Sequence, residues 1–440
     1  MLEVLPDDLM QRIREAWLKS GDGPPLPDPE AVRQVLDAAF WASMRTEEQR
    51  TLSFRVAYCS PADCEADETP QTPVRFGRIR ELTAGQLVRL SPALDFRQAL
   101  VGVCSARELD PAAGDGTVVI WGIIDSGLSW WEHTKGEPRR RVHKTPPPDC
   151  FTVSSYQPGT LSLSRRGRVL LALRGGKVAA AIPNLLRTGP VGRFLQVPAR
   201  RLLDQVTAEL GQDFSGFDPR TQQEAEQAYV TFIQRTLASM REAGHGGAVM
   251  LVPDDWTADS PAVHERLDIK FPTAIGSTWE LLVEYVRRLN LALHATYEAL
   301  KESTVPRDFF LEYLVTRRQR EQSEDNIGDR ASLLASFTRV DGCTVLTHSL
   351  DTLGFGAEIV MPQTPDLEHV QVAQDAEGQH LEAVPTQHFG TRHRSAFRLC
   401  HSHPEILALV LSSDGDLRVV KRVGQQVILW NGLDSPELGL

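Results

Sequence analysis

The sequence predicts a mixed α/β (α+β) protein. A β-rich N-terminal part precedes a mixed-sheet C-terminal part with flanking helices. Three observations lead there. Residues 76–200 alternate apolar and polar side chains between glycine-bearing turns. Residues 220–330 repeat apolar side chains at helical spacing. Residues 331–440 mix short apolar runs with one helical stretch. A chain of 440 residues is long enough for two or three domains. We divide it into residues 1–205 and 220–440, with a helical insertion of about 276–330 inside the second part.

In chain order, Leu9, Ile13, Ala16 and Trp17 share one helical face, and "GDGPPLPDPE" ends that helix. Asp28-Pro29 opens a second helix with proline in its first turn. Residues 60–75 are polar, acidic and proline-bearing, which predicts a loop. "GTVVIWGIID" is a buried strand. A hairpin meander follows, punctuated by Pro158-Gly159, Arg166-Gly167 and Gly175-Gly176. The intervening "EHTKGEPRRRVHKTPPPD" is a basic, proline-rich loop; it could hold an anion or simply be solvated. Further on, "RTQQEAEQAYVTFIQRTLASMREAG" is a long amphipathic helix, and the buried strand "GGAVMLVP" follows at once. Two more helices start near Trp279 and Arg307. "GCTVLTHS" and "GFGAEIVMP" form a strand pair, and "EILALVLSSDGDLRVVKR" forms another around an Asp-Gly turn. Between the two pairs lies a polar insertion, "PDLEHVQVAQDAEGQHLEAVPTQHF".

Composition narrows the function. Hydrophobic residues make up 41% and charged residues 24%, values ordinary for a globular chain and foreign to a disordered or collagenous one. A net charge of −11 argues against coating nucleic acid, although it leaves room for a local basic pocket. No run reaches the roughly 18 apolar residues of a membrane span. The longest candidate, "VLLALRGGKVAAAIPNLL", is interrupted by Arg174 and Lys177. The N-terminus carries acids early, unlike a signal peptide. Six cysteines without a CxxC pair predict reduced thiols and a cytoplasmic protein, with neither a disulfide framework nor a zinc ribbon.

The segment Gly390-Thr391-Arg392-His393-Arg394 carries the most chemistry. Glycine admits a close backbone approach, Thr391 is placed to cap the next helix, and amides plus two guanidiniums suit phosphates. A basic surface turn is the alternative. Asp341-Gly342 before a strand offers a carboxylate for a divalent metal, or a plain turn. Ser412-Ser413-Asp414 could add polar groups to the same pocket, or close a hairpin. His388, His393, His401 and His403 cluster in sequence, but a dedicated histidine metal site is not expected, since His401 and His403 should point apart. Trp130-Trp131 could stack on a base or pack in a core.

Taken in order, "GGAVMLVP", "DGC", "GTRHRSAFRL" and "ALVLSSDGDLRVV" resemble the diadenylate cyclase (DAC) family, whose hallmarks are a DGA motif followed by GTRHR. The resemblance covers about residues 220–440. It implies condensation of two ATP molecules into cyclic di-AMP by two DAC domains facing each other, each holding one nucleotide. ATP or another adenine nucleotide is the implied partner, with Mg or Mn as cofactor and a homodimer or higher homo-oligomer as assembly; neither nucleic acid nor membrane is expected. On this resemblance Asp341 binds metal or activates the hydroxyl, beside Gly342 of the catalytic motif. Arg392 and Arg394 grip phosphates, and Gly390, Thr391 and His393 shape the nucleotide pocket. Ser412 and Asp414 fall where the family keeps a serine and an acid.

The chain departs from the pattern at Cys343 in place of alanine, at Val340 before the aspartate, at its thin acidic turn, and in the 51 positions between Asp341 and Arg392. Those departures support an alternative, a catalytically degenerate nucleotide-binding sensor. The β-rich part, from "LSPALDFRQALVGVC" to "RVLLALRGGKV", resembles the probable sensor domain called DACNV, which implies a regulatory input.

Overall fold

The computed structural model describes residues 8–47, 50–66, 72–96, 98–112, 116–125, 148–155, 158–166, 168–174, 177–180, 185–210, 219–243, 245–301, 307–361, 367–412 and 417–431. Trp130-Trp131, the basic loop at 139–144 and Asp414 lie outside the described residues. Two compact units result, the first from described residues up to 180 and the second from 185 onward. The division therefore falls earlier than the 205–220 junction expected from the sequence. The helix Gly189–Leu210 belongs to the second unit, because Val191, Leu195, Leu202 and Val206 are buried there beside the helix Pro219–Glu242. Among the described residues, no helix is long and apolar enough to cross a membrane.

The first unit is built on an eight-stranded sheet. A two-residue hairpin, β1 (Thr46–Glu47) and β2 (Arg50–Thr51), stands apart from it. The sheet strands are β3 (Phe54–Tyr58), β4 (Thr72–Glu81), β5 (Ala99–Ser105), β6 (Val118–Asp125), β7 (Phe151–Ser155), β8 (Thr160–Arg165), β9 (Arg168–Arg174) and β10 (Lys177–Ala180). Their order is β10-β9-β8-β7-β3-β5-β6-β4, with β3 and β5 parallel and the other pairs antiparallel. The four strands β7 to β10 form the meander read from the sequence, with Pro158-Gly159 between β7 and β8, while Gly167 and Gly175-Gly176 lie outside the described residues. The stretch 60–75 differs from its expected loop, since it holds a helix Pro61–Ala66 and the start of β4. Pairing with β6 supplies the strand there, which a polar sequence did not reveal.

Alternation along the strands explains the two cores of this unit. Phe54 and Val56 of β3, Val101 and Val103 of β5, and Val118 and Ile120 of β6 join Leu9, Ile13, Val32 and Leu36 of the helices Leu9–Lys19 and Pro29–Ser43. Asp28 starts the second of these helices by accepting the Glu30 amide at 2.9 Å, one residue before Pro29. Ala57, Leu100, Cys104, Trp121 and Ile124 form a separate cluster. Gly102 lacks a Cβ where one would lie 2.3 Å from the Trp121 ring, so the indole lies across that strand.

Arg165 ties the unit's first helix to β8. Its guanidinium is buried, donates to Asp149 Oδ1 at 2.6 Å, and also donates to Ser20 Oγ and to the carbonyls of Gly21 and Asp22. It also lies over the Trp17 ring. Asp149 holds the Arg165 guanidinium above its ordinary pKa. Breaking a buried pair leaves an uncompensated charge, and exposed Arg166 alone would face Asp149. We expect Arg165→Ala to cost the first unit about 3 kcal/mol, read as an earlier urea midpoint by tryptophan fluorescence; an unchanged midpoint would remove Arg165 from the fold's supports.

The second unit has a nine-stranded mixed sheet of β11 (Gly247–Val252), β12 (Leu267–Pro272), β13 (Cys343–Thr347), β14 (Thr352–Ile359), β15 (His369–Ala373), β16 (Leu381–Pro385), β17 (Leu407–Leu411), β18 (Leu417–Val423) and β19 (Gln426–Asn431). Its order is β12-β14-β13-β11-β17-β18-β19-β15-β16. β11 runs parallel to β13 and antiparallel to β17. The stretch expected as a polar insertion is here a hairpin that extends the sheet, because β15 pairs in parallel with β19 and buries Val370 and Ala373.

The central strand β11 is apolar on both faces. Ala248, Met250 and Val252 pack in one core with Ala396, Phe397, Leu399 and Cys400 of the helix Thr391–Ser402. Val249 and Leu251 face Phe232, Ile233 and Leu237 of the helix Pro219–Glu242. The helices Thr278–Lys301 and Arg307–Phe337 pack against each other and against Pro219–Glu242, so the helical insertion stacks on the helical layer. Arg330 fastens it by donating to the Ile275 and Gly276 carbonyls and to Thr278 Oγ1.

Candidate functional site

At one edge of the second sheet, the starts of β11, β13 and β18 and the ends of β14 and β17 meet the N-terminus of the helix Thr391–Ser402. A cleft of about 810 Å³ lies between them. That size suits a small-molecule ligand. Gly342, Gly390, Thr391, Arg392, His393 and Ser412, six residues singled out from the sequence, line it. Asp341 and Arg394 are exposed and lie outside the lining, each directly next to a lining residue. Asp414 lies outside the described residues.

Local geometry explains how Gly342 comes to the cleft. Its φ is +112°, and a Cβ would stand 2.7 Å from the Ala357 carbonyl. Only glycine lets the chain turn there and enter β13 so close to β14. The next residue, Cys343, is buried and donates its thiol to the Ala357 carbonyl at 3.4 Å. Burial pushes that thiol up to about 12, although the charge on Arg392 acts in the opposite direction. Cys343 and Arg392 both line the cleft, so the two motifs border one space.

The helix start differs from expectation in one respect. Gly390, with φ −66° and ψ 167°, occupies the capping position, and Thr391 is already the first helical residue. Gly390 brings no side chain to cap the helix, and no acid sits in its first turn. An α-helix leaves its first amides without intrahelical partners, and its dipole favours an anion there. The geometry therefore turns the start of the helix into the cleft.

Cations surround that end. Arg398 and Arg418 line the cleft with Arg392, and His388 adds an exposed imidazole. Arg418 Nη1 lies 3.2 Å from Nε2 of the buried His393. A guanidinium only donates, so the His393 Nε2 accepts and its ring proton sits on Nδ1. Phe389 lies under the Arg418 guanidinium and edge-on to Phe397. Among the described lining residues the one carboxylate, Glu358, accepts from Lys270. The hydrogen bond from Lys270 to Glu358 holds the Lys270 ammonium above its ordinary value, and Asp341 adds to the effect. Asp341 thus belongs to a small charged patch at the rim. Sequence reading missed Arg398, Arg418 and Glu358. A basic residue one helical turn after Arg394, and another just past the serine turn, were the available signals.

His401 and His403 do not join His388 and His393 at the cleft. His403 pairs with Glu405 through Nδ1 and accepts from Arg266 through Nε2. Among the described residues, no group of three or more histidines, cysteines or acids could hold a metal by itself. A single carboxylate such as Asp341 matches instead an ion that arrives with a nucleotide, whose phosphates and waters supply the other oxygens.

Gly342→Ala should destabilise the second unit by about 1–3 kcal/mol, since it forces a side chain into a strained backbone region. Gly390→Ala, with open space around the added Cβ, should stay within about 0.5 kcal/mol of the parent. Thermal unfolding of both variants checks the contrast; equal melting temperatures would contradict the close approach.

Residues 22–125 match the family described as "Probable sensor domain DACNV". The match runs from the turn before the helix Pro29–Ser43 through β6, so it begins earlier than the sequence resemblance and stops before the meander of β7 to β10. No curated protein matches the chain. The first unit accordingly contains a region of the probable sensor type.

Proposed function

We propose that the second unit is a DAC-type nucleotide-binding domain that makes cyclic di-AMP from two ATP molecules, and that the first unit supplies its regulatory input. The observation carrying this reading is the convergence of Gly342, Thr391, Arg392, His393 and Ser412 on one cation-lined cleft at a helix start whose cap is a glycine. In this reading the open amides and Arg392 hold the phosphates of one ATP, while Arg398 and Arg418 add positive charge. Ser412 and the backbone at Gly342 bound the rest of the nucleotide. Asp341 would hold a Mg or Mn ion, which when bound would supply charge neutralisation for the phosphates.

The reaction needs two such clefts facing each other. The 3′-oxygen of one ATP forms a bond to the α-phosphorus of the other, and the bond to pyrophosphate breaks, with the electron pair leaving on pyrophosphate. The hydroxyl proton passes to a base, for which Asp341 is the candidate of this chain. Repetition with exchanged roles closes the ring and releases the second pyrophosphate. Most of the acceleration would come from positioning and charge neutralisation.

The second reading, a domain that binds a nucleotide without turnover, draws on the rim position of Asp341 and on the pairing of Glu358 with Lys270. Incubation with ATP and Mn²⁺ or Mg²⁺, followed by chromatography for cyclic di-AMP, separates the two. Product from the parent chain, lost in Asp341→Asn with ATP binding retained, supports the cyclase; binding without product supports the receptor. Arg392→Ala should weaken nucleotide binding by about 1.5–3 kcal/mol through loss of a charged hydrogen bond. Equal affinity by calorimetry would overturn both readings of the cleft.

A further inference from the structure

Four of the six cysteines of the chain gather in one place in the first unit. Cys59, Cys64, Cys104 and Cys150 share a buried cluster with Ala57, Leu100, Trp121 and Ile124, and all four are free thiols. Four different elements bring them there, with Cys104 on β5. Cys59 ends the run of β3, Cys64 lies on the helix Pro61–Ala66, and Cys150 leads into β7. Asp63 fixes that short helix by accepting from the Ser60 amide and hydroxyl. Trp121 fixes the backbone of Cys59 by donating to its carbonyl at 2.8 Å.

Within this cluster the Sγ atoms of Cys59 and Cys64 are 3.1 Å apart. That is roughly 1 Å beyond the covalent S–S length of about 2.05 Å. Cys150 is also close enough to act on the Cys59 thiol. A cleft of about 960 Å³ opens beside the pair, and Cys59 and Cys150 line it while Cys64 stands behind. Cys59 and Cys150 are therefore the thiols a reagent in the cleft can reach, and Cys64, 3.1 Å from Cys59, is placed to attack Cys59 once it is modified.

We propose that Cys59 and Cys64 are a reversible dithiol–disulfide pair oxidised by a low-molecular-weight disulfide that enters this cleft. The Cys59 sulfur gives up its proton and attacks one sulfur of the reagent, whose S–S bond breaks and releases one thiol. The Cys64 sulfur then gives up its proton and attacks Cys59 Sγ, the mixed disulfide breaks, and the second thiol leaves. Two protein thiols are oxidised and one reagent disulfide is reduced to two thiols, so atoms and electrons balance. The neighbouring Cys150 and Cys64 thiols, together with burial, raise the Cys59 thiol well above its ordinary value. Held protonated, the Cys59 thiol reacts slowly and resists stray oxidation. The proposal gives the DACNV-matching region a chemical input and does not depend on the cyclase reading.

The test uses the native full chain, reduced, freed of reductant and incubated with hydroxyethyl disulfide. After alkylation and tryptic digestion, peptide 56–75, which holds both residues, should have lost two hydrogens, and the chain should show two fewer alkylatable thiols than its six. Dithiothreitol should restore the count. Cys64→Ser should instead keep the hydroxyethylthiol on Cys59, and Cys104→Ser should behave as the parent. A peptide 56–75 that stays fully alkylatable in the parent chain, or a bridge from Cys59 to Cys150 in its place, would overturn the assignment without recourse to any variant.

Discussion

Burial of one face of the helix Thr391–Ser402 decides where the candidate site lies. Ala396, Phe397, Leu399 and Cys400 are at most 1% exposed and pack on β11, β17 and β18. That apolar contact fixes the helix axis, and with it the point where the open amides of the first turn emerge. The cations then follow by geometry. Arg392 lies on the first turn, Arg398 lies two turns further on, and Arg418 reaches in from the start of β18. Loosening the helix would leave each of these charges in place along the chain but without a shared target.

The sheet of the second unit is a two-sided partition. β11 places alternate residues in the core with the short helix and against the long helices. Parallel pairing of β11 with β13 requires a long crossover, and the helices Thr278–Lys301 and Arg307–Phe337 provide it within their own layer. The helical insertion thus covers one face while the cleft opens at the strand ends, where β13 begins at the strained Gly342. Separation along the chain, 51 positions from Asp341 to Arg392, becomes proximity because both motifs end at the same sheet edge.

The first unit solves a different problem. Its sheet buries one face under two helices and places thiols and Trp121 in a separate cluster. Small residues make that arrangement possible, since Gly102 leaves room for the indole and the cysteines fill space that larger aliphatics would overfill. Compact thiols drawn from four elements then approach each other more closely than chain spacing alone suggests.

By itself, the sequence determined the mixed α/β class, the two N-terminal helices, the meander, the paired strands and the long helices, because hydrophobic period and turn residues are local signals. Gly342, Gly390, Thr391, Arg392, His393 and Ser412 were legible as site candidates because glycine and basic residues in short order carry their own chemistry. The structure decided what depends on distant partners. The strands β4 and β15 exist through pairing with β6 and β19, and their polar sequences hid them. The helix Gly189–Leu210 was assigned to the second unit by its packing. Arg418 and Arg398 joined the cleft, Asp341 settled at its rim, and Cys59 met Cys64, because side-chain convergence is set by where folded backbones cross, which no local pattern encodes.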